Sequence, residues 1–574
     1  MANAVILQNC FQIFPKKAFY EVRLTRDSLI YEETSFRGCC QGSTQKHSVI
    51  KLRDVYGVKL FKSREPADDS AYFHVFSCPL RKDRRECEKL PFKVSGWENS
   101  IANVKLAEKW VRTISWLVKC PSMDLESIQA KKNLPPSRKM LVFVNPFSGK
   151  GKSLKIFRNK VAPMFENADI DYKLVITEYA GHAKAYASQL CIPEWDGVVI
   201  CSGDGLVFEV LNGFMNRQDW EVAIKMPIGV IPTGSGNALC FSSLHASGEP
   251  MEVVCAIYAV IRGNIHEMDI ASIVTPTSRF YSFLSMTWGI MSDVDIESEK
   301  YRYLGNARFT VGAVVRILNL RLYQGRISYL PYEEDGQFTR SSGFDMPDLK
   351  PAPSDGILFQ SPRDADAESF KSPSGSFYSM PGSPTEERLP GMMGSGCVNP
   401  GIDREQPSVN SIAENIFQEP ENSGNLVSTS NKNAELVVPG NQFGPELNLL
   451  PALEENLPSS WKSVEGKFIL CSSVMMSHLG PDICAAPQSK FGDGILYVAY
   501  AEAGISKMQL LDMFMKMEDG SHIDCEEIVC VRACAFRLEP DLTQLGTIAI
   551  DGELIPYSAV QGQVHRGLGR VMCV

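Results

Sequence analysis

Three apolar segments of the chain each end in a loop of glycine and small polar residues that leads into a helix-like segment. The loops cover residues 145–153, 202–205 and 232–237. In an α/β fold the carboxyl ends of parallel strands meet at one edge of the sheet, where helix N-termini present backbone N–H groups to anions. One glycine-rich loop is a weak signal, but three in a βα repeat favour phosphate binding over simple chain turns. The sequence therefore predicts an α/β domain whose loops bind phosphate groups.

Asp204 lies between Gly203 and Gly205, just after the apolar segment 197–201. At this position α/β proteins place residues that bind ligands or act in catalysis. A carboxylate there can take a proton from a hydroxyl group. An aspartate between glycines also frequently accepts backbone N–H groups in a turn. The neighbouring loops favour the catalytic interpretation, which makes Asp204 the first candidate for a catalytic residue.

The first loop lacks two familiar phosphate-binding motifs. Pro146 occupies the position at which a Walker loop has its first glycine, five residues before Gly151. Leu154 occupies the position of the third glycine in a dinucleotide fingerprint. The loop is therefore expected to bind phosphate by a different motif.

Five motifs in order resemble those of the diacylglycerol kinase-like lipid kinases, and most closely the sphingosine kinase branch. They are NPFSGKGKS, SGDGLVFEVLNG, IPTGSGNAL, SDVDIESEKYRYLGNARF, and Asp551-Gly552-Glu553 followed by AVQGQVH. The similarity runs from about residue 140 to 329 and from about 461 to 565. It implies phosphorylation of the primary hydroxyl of sphingosine and related sphingoid bases, with ATP and Mg²⁺. A ceramide or diacylglycerol kinase, and a lipid-binding regulator without catalysis, remain as alternatives.

The resemblance also implies roles for individual residues, with Asp204 as the base. Nucleotide contacts are implied for Asn145, Pro146, Phe147, Thr177, Glu178, Tyr179, Ala180, Gly181, Glu209, Gly234, Ser235, Gly236, Arg302 and Arg308. The carboxylates of the segment Asp551, Gly552 and Glu553 are expected to close the nucleotide site through Mg²⁺ or the ribose, although Asp-Gly is also the commonest signal of a hairpin turn. Contacts to the lipid substrate are implied for Ser202, Gly203, Asp204, Gly205 and Asp295.

The resemblance implies that Asp295 meets the amino group of the lipid. A carboxylate and a protonated amine form a charge-assisted pair, whereas an amide or ester headgroup would leave the carboxylate unpaired. Asp295 therefore favours a free sphingoid base over ceramide or diacylglycerol. The lipid tail needs an apolar slot, and the candidates are Ile270, Phe283, Leu284, Met286, Trp288, Phe309, Val314, Leu318, Met475 and Leu479.

Composition limits the class of protein. The 574 residues predict two to four domains, and the net charge of -9 argues against a nucleic-acid partner. No apolar run reaches the roughly eighteen residues of a membrane span, and the 17 scattered cysteines form no CxxC pair typical of a zinc site. No metal-ligand spacing of histidines is present either. We expect a cytoplasmic protein that associates peripherally with membranes.

Changes in composition and residue pattern along the chain predict its domain organisation. Residues 1–120 resemble a PH-like β domain, with strands in 19–31, 48–61 and 71–78 and a helix over 101–118. Its basic cluster, residues 81–85, is either a lipid contact or a solvated loop. Residues 121–139 form a polar linker, and residues 140–268 the α/β nucleotide-binding domain.

The remaining residues predict a second domain that is split in two. Residues 269–330 and 461–574 contain short strands typical of an antiparallel sheet, and the family resemblance implies a β-sandwich that binds lipid. Residues 331–460 have the composition of a disordered Ser/Pro/Gly-rich insertion. The segment 309–323 has apolar residues at helical spacing, and it is a helix for lipid access, a helix that binds a calmodulin-like or other regulatory protein, or a packed lid.

Overall fold

The computed structural model describes residues 4–16, 18–34, 47–63, 65, 68–96, 99–298, 300–301, 307–333 and 443–574. In these residues no helix is both long and apolar enough to cross a bilayer. The strands are β1 (Leu7–Ile13), β2 (Phe19–Leu24), β3 (Ser28–Glu33), β4 (Ser48–Lys51), β5 (Val55–Lys62), β6 (Ala71–Ser77), β7 (Leu80–Arg81), β8 (Arg84–Arg85), β9 (Glu88–Val94), β10 (Arg138–Val144), β11 (Ile170–Ile176), β12 (Gly197–Ser202), β13 (Ile228–Pro232), β14 (Asn264–Val274), β15 (Arg279–Ser282), β16 (Ser285–Gly289), β17 (Tyr323–Pro331), β18 (Lys462–Val474), β19 (His478–Gly480), β20 (Ile483–Cys484), β21 (Leu496–Glu502), β22 (Val529–Pro540), β23 (Ile548–Ile550), β24 (Glu553–Ile555) and β25 (Val560–Cys573). The α-helices are α1 (Ser100–Lys119), α2 (Leu125–Ala130), α3 (Ser153–Ile156), α4 (Ala162–Asn167), α5 (His182–Ser188), α6 (Asp204–Met215), α7 (Trp220–Ala223), α8 (Ala238–Ala246), α9 (Val253–Arg262), α10 (Ile290–Glu297), α11 (Ala307–Leu318) and α12 (Lys507–Lys516).

The N-terminal domain is a seven-stranded antiparallel sheet in the order β4-β3-β2-β1-β9-β6-β5, with α1 packed against it. Asn99 caps α1, because its side chain accepts the N–H of Ala102. Trp110 is fully buried, and its ring lies edge-on to Phe11 at 5.2 Å while its indole N–H donates to Asn9. The helix predicted over residues 101–118 therefore lies inside α1, and its apolar face closes the core of the sheet.

The central region is a parallel sheet in the order β11-β10-β12-β13, built from strands and helices that alternate along the chain. All residues of β12 are buried, as expected for a parallel strand covered on both faces. On the far side of β13 the sheet continues through β25, which pairs with it in parallel at Ile228 and Val571. The α/β half and the rest of the chain therefore share one hydrogen-bonded sheet.

The remaining strands are antiparallel and follow β25 in the order β22-β17-β18-β16-β23-β24. Strand β21 pairs with both β18 and β22, so that the sheet folds back on itself and encloses a second core that contains Trp288 and Phe468. The short antiparallel strands predicted within residues 269–330 and 461–574 are therefore present. Strand β14 crosses the predicted domain boundary at residues 268 and 269, since it begins at Asn264 and pairs along its length with β25.

The prediction that the insertion extends to residue 460 is wrong for residues 443–460, which pack on the sheet. Leu450 is buried in a small cluster with Val274, Trp461 and Ala535. The fully buried guanidinium of Arg537 donates to the carbonyl oxygens of four residues of this segment, Pro451, Ala452, Leu453 and Glu455. The rest of the predicted insertion that lies in 334–442 is outside the described residues. Composition missed the packed part because its leucines are spread among prolines, glutamates and asparagines.

Replacement of Leu450 by alanine should lower the free energy of unfolding by about 2–3 kcal/mol, because it leaves a cavity between the segment and the sheet. Urea denaturation measures this change. Leu545→Ala is the control, because that side chain is 95% exposed and its loss should cost less than about 0.5 kcal/mol. Equal effects of the two substitutions would contradict the packing of residues 443–460.

Candidate active site

The three predicted loops follow β10, β12 and β13, which are neighbours in the parallel sheet, and the loops meet at its edge. The hydroxyl of Ser202 donates to that of Ser148 at 3.1 Å. A Cβ atom on Gly203 would lie 2.5 Å from the carbonyl oxygen of Gly236, and one on Gly234 would lie 2.5 Å from the nitrogen of Gly203. The second and third loops thus touch backbone to backbone, which only glycine permits.

Asp204 begins α6 and is buried against the third loop. Its Oδ2 atom accepts the N–H of Ala238 at 2.7 Å, and Oδ1 accepts the N–H of Leu239 at 3.2 Å. These are the first two residues of α8, so the carboxylate lies at the positive end of a helix. Burial raises the pKa of Asp204 to about 6, although the two backbone hydrogen bonds act to lower it. The turn interpretation of this residue is confirmed, since its carboxylate accepts two backbone N–H groups, and the same side chain lines the cavity described below, where the catalytic role stays a prediction.

Glu209 joins the second loop to the turn at residues 177–181. Its two carboxylate oxygens accept the N–H groups of Gly181 and Ala183 at 3.0 and 3.1 Å, at the start of α5. Within the turn, Thr177 is buried, whereas Tyr179 is exposed and stacks on His182 with ring centres 4.8 Å apart. Glu209 therefore sets the position of this turn relative to Asp204.

Asp551 and Gly552 form the two-residue turn between β23 and β24, and both have positive φ angles, as a type I′ hairpin turn requires. The Asp551 carboxylate is buried and accepts four donors: the Ser282 hydroxyl and the N–H groups of Phe283, Leu284 and Ser285. Burial raises its pKa to about 7 against these hydrogen bonds. The carboxylate that was expected to reach the nucleotide thus holds the loop between β15 and β16.

Glu553 differs from Asp551, because it is exposed and approaches the second loop. A Cβ atom on Gly205 would lie 2.6 Å from its Oε1 atom. On the other side of the turn, a Cβ atom on Gly552 would lie 3.3 Å from Oδ2 of Asp295. The hairpin turn therefore brings Asp295 close to the loop that carries Asp204.

Asp295 lies on α10 and Arg308 on α11. The Arg308 side chain is buried, with its guanidinium 3.9 Å from Oδ1 of Asp295 and 4.3 Å from the ring centre of Phe309. Nearby, the buried carboxylate of Asp293 accepts the hydroxyl of Thr547 at 2.7 Å and that of Tyr323. The segment from Asp293 to Arg308 carries charges of both signs in its sequence, and part of it is therefore internal. Arg302 lies outside the described residues.

One cavity of about 550 Å³ joins these groups. Its polar end is lined by residues from the three loops and the hairpin turn: Asn145, Ser202, Gly203, Asp204, Gly205, Glu209, Gly234, Ser235, Gly236, Asp551, Gly552 and Glu553. Its apolar end is lined by α10, α11 and α12, and Asp295 and Arg308 belong to the same lining. Seven residues predicted to contact the nucleotide do not line it: Pro146, Phe147, Thr177, Glu178, Tyr179, Ala180 and Gly181.

Comparison with known proteins places this architecture in a family. Residues 139–273 match the diacylglycerol kinase catalytic domain, and residues 463–573 match the YegS C-terminal NAD kinase beta sandwich-like domain. Sphingosine kinase 2 of Homo sapiens is 34% identical over 559 residues, which cover 91% of this chain and 85% of that protein. This chain belongs to the sphingosine kinase family. Sphingosine kinase 1 of Mus musculus is 33% identical, with 78% of this chain and 95% of that protein covered.

The resemblance stated from the motifs is thus confirmed, including the nucleotide-binding and sandwich halves of the fold. The apolar slot was predicted less well. Of the ten candidates, four line the cavity: Leu284, Phe309, Val314 and Leu479. Five lie in the closed cores, namely Ile270, Phe283, Met286, Trp288 and Met475, and Leu318 is exposed outside the cavity. Seven further apolar residues line the cavity and were not predicted: Met291, Val294, Ile317, Leu511, Phe514, Met515 and Met517. The helical spacing in α12 was the available signal for Leu511, Phe514 and Met515.

Replacement of Gly234 by alanine should lower the free energy of unfolding by about 1–3 kcal/mol, because the added methyl group forces the second and third loops apart. The displaced loop carries Asp204, so kinase turnover should fall even in the folded fraction. Thermal unfolding and a lipid kinase assay measure the two effects. Gly466→Ala is the matched control, since a Cβ atom there meets nothing within 4 Å. A Gly234→Ala variant with the stability and turnover of this control would show that the loops do not depend on their close contact.

Proposed function

We propose that the chain transfers the terminal phosphoryl group of ATP to the primary hydroxyl of sphingosine within the cavity that contains Asp204 and Asp295. The observation that carries this proposal is the division of that cavity into a polar end formed by backbone loops and an apolar end formed by helices. Phosphoryl transfer requires both, since ATP must be held by its phosphates while the lipid tail is kept from water. Membership of the sphingosine kinase family supports the choice of lipid and of phosphoryl donor.

The polar end suits the triphosphate of ATP. The loops after β12 and β13 have no side chains at their closest contact, so phosphate oxygens can approach their N–H groups. Mg²⁺ bound with ATP would neutralise charge on the phosphates, and it usually needs only one or two protein carboxylates. The described residues contain no cluster of three or more potential metal ligands. Glu553, exposed beside Gly205, is the carboxylate that fits this role.

Asp204 is proposed as the general base that removes the proton from the lipid hydroxyl. Each of its carboxylate oxygens accepts one backbone N–H, which leaves further lone pairs for a hydroxyl group. A base is most effective when its pKa is close to the working pH, and the pKa of about 6 meets this condition. The hydrogen bonds to α8 keep the carboxylate in one orientation.

Asp204→Asn should lower kcat by at least about a hundredfold, because the amide cannot take the proton. ATP affinity should change little, since the loops keep their N–H groups. In the unsubstituted protein kcat/KM should fall as the pH falls through about 6, where Asp204 becomes protonated in the free enzyme. The surface variant Asp219→Asn is the control. Turnover of Asp204→Asn within a few-fold of this control would exclude the proposed role.

Asp295 is proposed to bind the ammonium group of sphingosine. It lies at the hairpin turn between the polar and apolar parts of the lining, and its side chain is 30% exposed. A lipid whose tail lies among α10, α11 and α12 would bring its headgroup to this region. A neutral headgroup offers no charge to the carboxylate, so the residue favours a free sphingoid base.

Asp295→Asn should raise KM for sphingosine about ten- to a hundredfold, the loss expected for one charge-assisted hydrogen bond. KM for ATP should change much less. The ratio of sphingosine to ceramide phosphorylation, measured with labelled ATP, should fall. Glu297→Gln on the same helix is the matched control, because Glu297 pairs with Arg316 and does not line the cavity. If Asp295→Asn keeps the ratio of this control, the amine is recognised elsewhere.

The proposal extends to peripheral association with membranes through α11 and α12. Their exposed apolar side chains are Val311, Val314, Val315, Leu318, Met508 and Met515, and two of these line the cavity. An apolar surface at the cavity would let a lipid pass from the bilayer without crossing water. Arg316 is buried and paired with Glu297 and Asp293, so it adds no charge to this exposed face of α11.

Leu318→Glu should weaken sedimentation with anionic phospholipid vesicles, since Leu318 is 62% exposed and a charge there opposes insertion. Activity on sphingosine in detergent micelles should be retained. Leu545→Glu, at an exposed site outside these helices, is the control. Unchanged vesicle binding, together with loss of a regulatory protein partner such as calmodulin, would assign the surface to protein binding instead.

Residues 1–120 are proposed to form a PH-like domain. The support is two successive antiparallel meanders, β1 to β4 and β5, β6 and β9, followed by α1. The basic cluster gives little support for lipid contact, since Arg81 and Arg84 pair with Glu86 and Arg85 pairs with Glu249. A cytoplasmic location is proposed with it, supported by the free cysteines among the described residues.

A further inference from the structure

The hairpin formed by β7 and β8 joins the N-terminal domain to the α/β half through one arginine. The side chain of Arg85 is buried, and its Nε and Nη2 atoms donate to the carboxylate of Glu249 at 2.6 and 2.5 Å. Its guanidinium lies 3.9 Å from the ring centre of Tyr258 and donates to the carbonyl oxygen of Cys78 at 2.6 Å. The hairpin is therefore one of the contacts between the two halves, beside the hydrogen bond from the Tyr258 hydroxyl to the carbonyl oxygen of Arg53 and the packing of Tyr56 and Phe76 in the core of the α/β half.

Two cysteines stand at the base of the hairpin. Ser77 pairs with Glu88 in the ladder between β6 and β9, so Cys78 and Cys87 are the next residues and face each other. Their Sγ atoms are 2.7 Å apart. Opposite residues of antiparallel strands have Cα atoms about 4.5–5.5 Å apart, within the range of about 4.4–6.8 Å that a disulfide spans. The backbone already has the spacing that a cross-link needs.

The two thiols lie in different environments. Cys78 is buried and Cys87 is exposed. The hydrogen bond with Cys78 lowers the pKa of the Cys87 thiol, and the charge of Arg85 lowers it further. The same hydrogen bond, together with burial, raises the pKa of Cys78. The thiolate is the reactive form of cysteine, so Cys87 is the cysteine of the pair that reacts first with an oxidant.

We propose that Cys78 and Cys87 form a reversible disulfide on exposure to hydrogen peroxide, and that this disulfide locks the hairpin that carries Arg85. First the Cys87 sulfur bonds to one peroxide oxygen, the O–O bond breaks and the other oxygen leaves as water, which gives a sulfenic acid. Then the Cys78 sulfur bonds to the Cys87 sulfur, the S–O bond breaks and the hydroxyl leaves as water with the Cys78 proton. Two thiols and one peroxide thus give one disulfide and two waters, and the sulfurs supply the two electrons.

The disulfide closes a ring that contains the whole hairpin. In the reduced protein, β7 and β8 are held together by two residue pairs, Leu80 with Arg85 and Arg81 with Arg84. A covalent closure at the base restricts the open conformations of such a short ladder. Arg85 then stays aligned with Glu249, so oxidation favours the docked arrangement of the hairpin.

Trypsin provides a direct test, because Arg81, Lys82, Arg84 and Arg85 all lie between the two cysteines. After full digestion Cys78 and Cys87 are on separate peptides that only a disulfide can join. Peroxide treatment of the full chain, followed by thiol blocking and mass spectrometry, should give the linked pair, about 2 Da lighter than the two reduced peptides together. Dithiothreitol should abolish it. In brief digestion of the folded protein, cleavage within the hairpin should become several-fold slower after oxidation.

Cys87→Ser should give no linked peptide and no change of cleavage rate with peroxide. Cys10→Ser, at another exposed cysteine, should behave as the unsubstituted protein. The proposal is overturned if Cys78 and Cys87 stay unlinked at peroxide concentrations that oxidise Cys10. Equal cleavage of the hairpin in the linked and reduced proteins would overturn the locking role.

Discussion

The contact between the loop that carries Asp204 and the start of α8 is the interaction on which the rest of the site depends. The carboxylate accepts the first two N–H groups of that helix, and the Asp204 N–H donates to the carbonyl oxygen of Gly236. The group proposed as the base is therefore part of the structure proposed to hold the phosphates. The carboxylate and the loop cannot move independently of each other. The proposed base therefore has a fixed position relative to the proposed phosphate-binding loops before any substrate binds.

The buried carboxylates show that the number of hydrogen bonds does not by itself set a pKa. Asp204 accepts two backbone donors and Asp551 accepts four donors, yet the pKa of both carboxyl groups is raised. In both, burial is the largest effect and outweighs the donors that favour the charged form. A carboxylate in the protein interior can therefore have all its hydrogen bonds and still have a raised pKa. The groups around such a carboxylate determine its use: Asp551 holds the loop between β15 and β16, whereas Asp204 is proposed as a base.

The parts of the site that could be predicted from sequence are those encoded locally. Gly203, Gly234 and Asp204 follow buried strands, and parallel pairing alone brings their loops together. The role of Asp551 could not be predicted, because its partners at residues 282–285 lie far away in sequence and use backbone groups. Arg537 was missed for the same reason, since it organises residues 451–455 from a distant strand. The helical spacing of α12 is visible in the sequence, but it does not show that the helix lines a cavity. Apolar side chains that line a cavity and those that fill a core have the same sequence pattern.

Strand β25 has a consequence for synthesis of the chain. It pairs with β13 on one side, and with β14 and β22 elsewhere along its length, so both halves share it. The ribosome makes this strand after the other strands of the described residues, and until it emerges β13 has an uncovered edge and β14 lacks its main partner. The nascent α/β half must therefore wait for residues 560–573 before its sheet is complete. The two halves therefore complete their shared sheet in one late folding step, when β25 pairs with both of them.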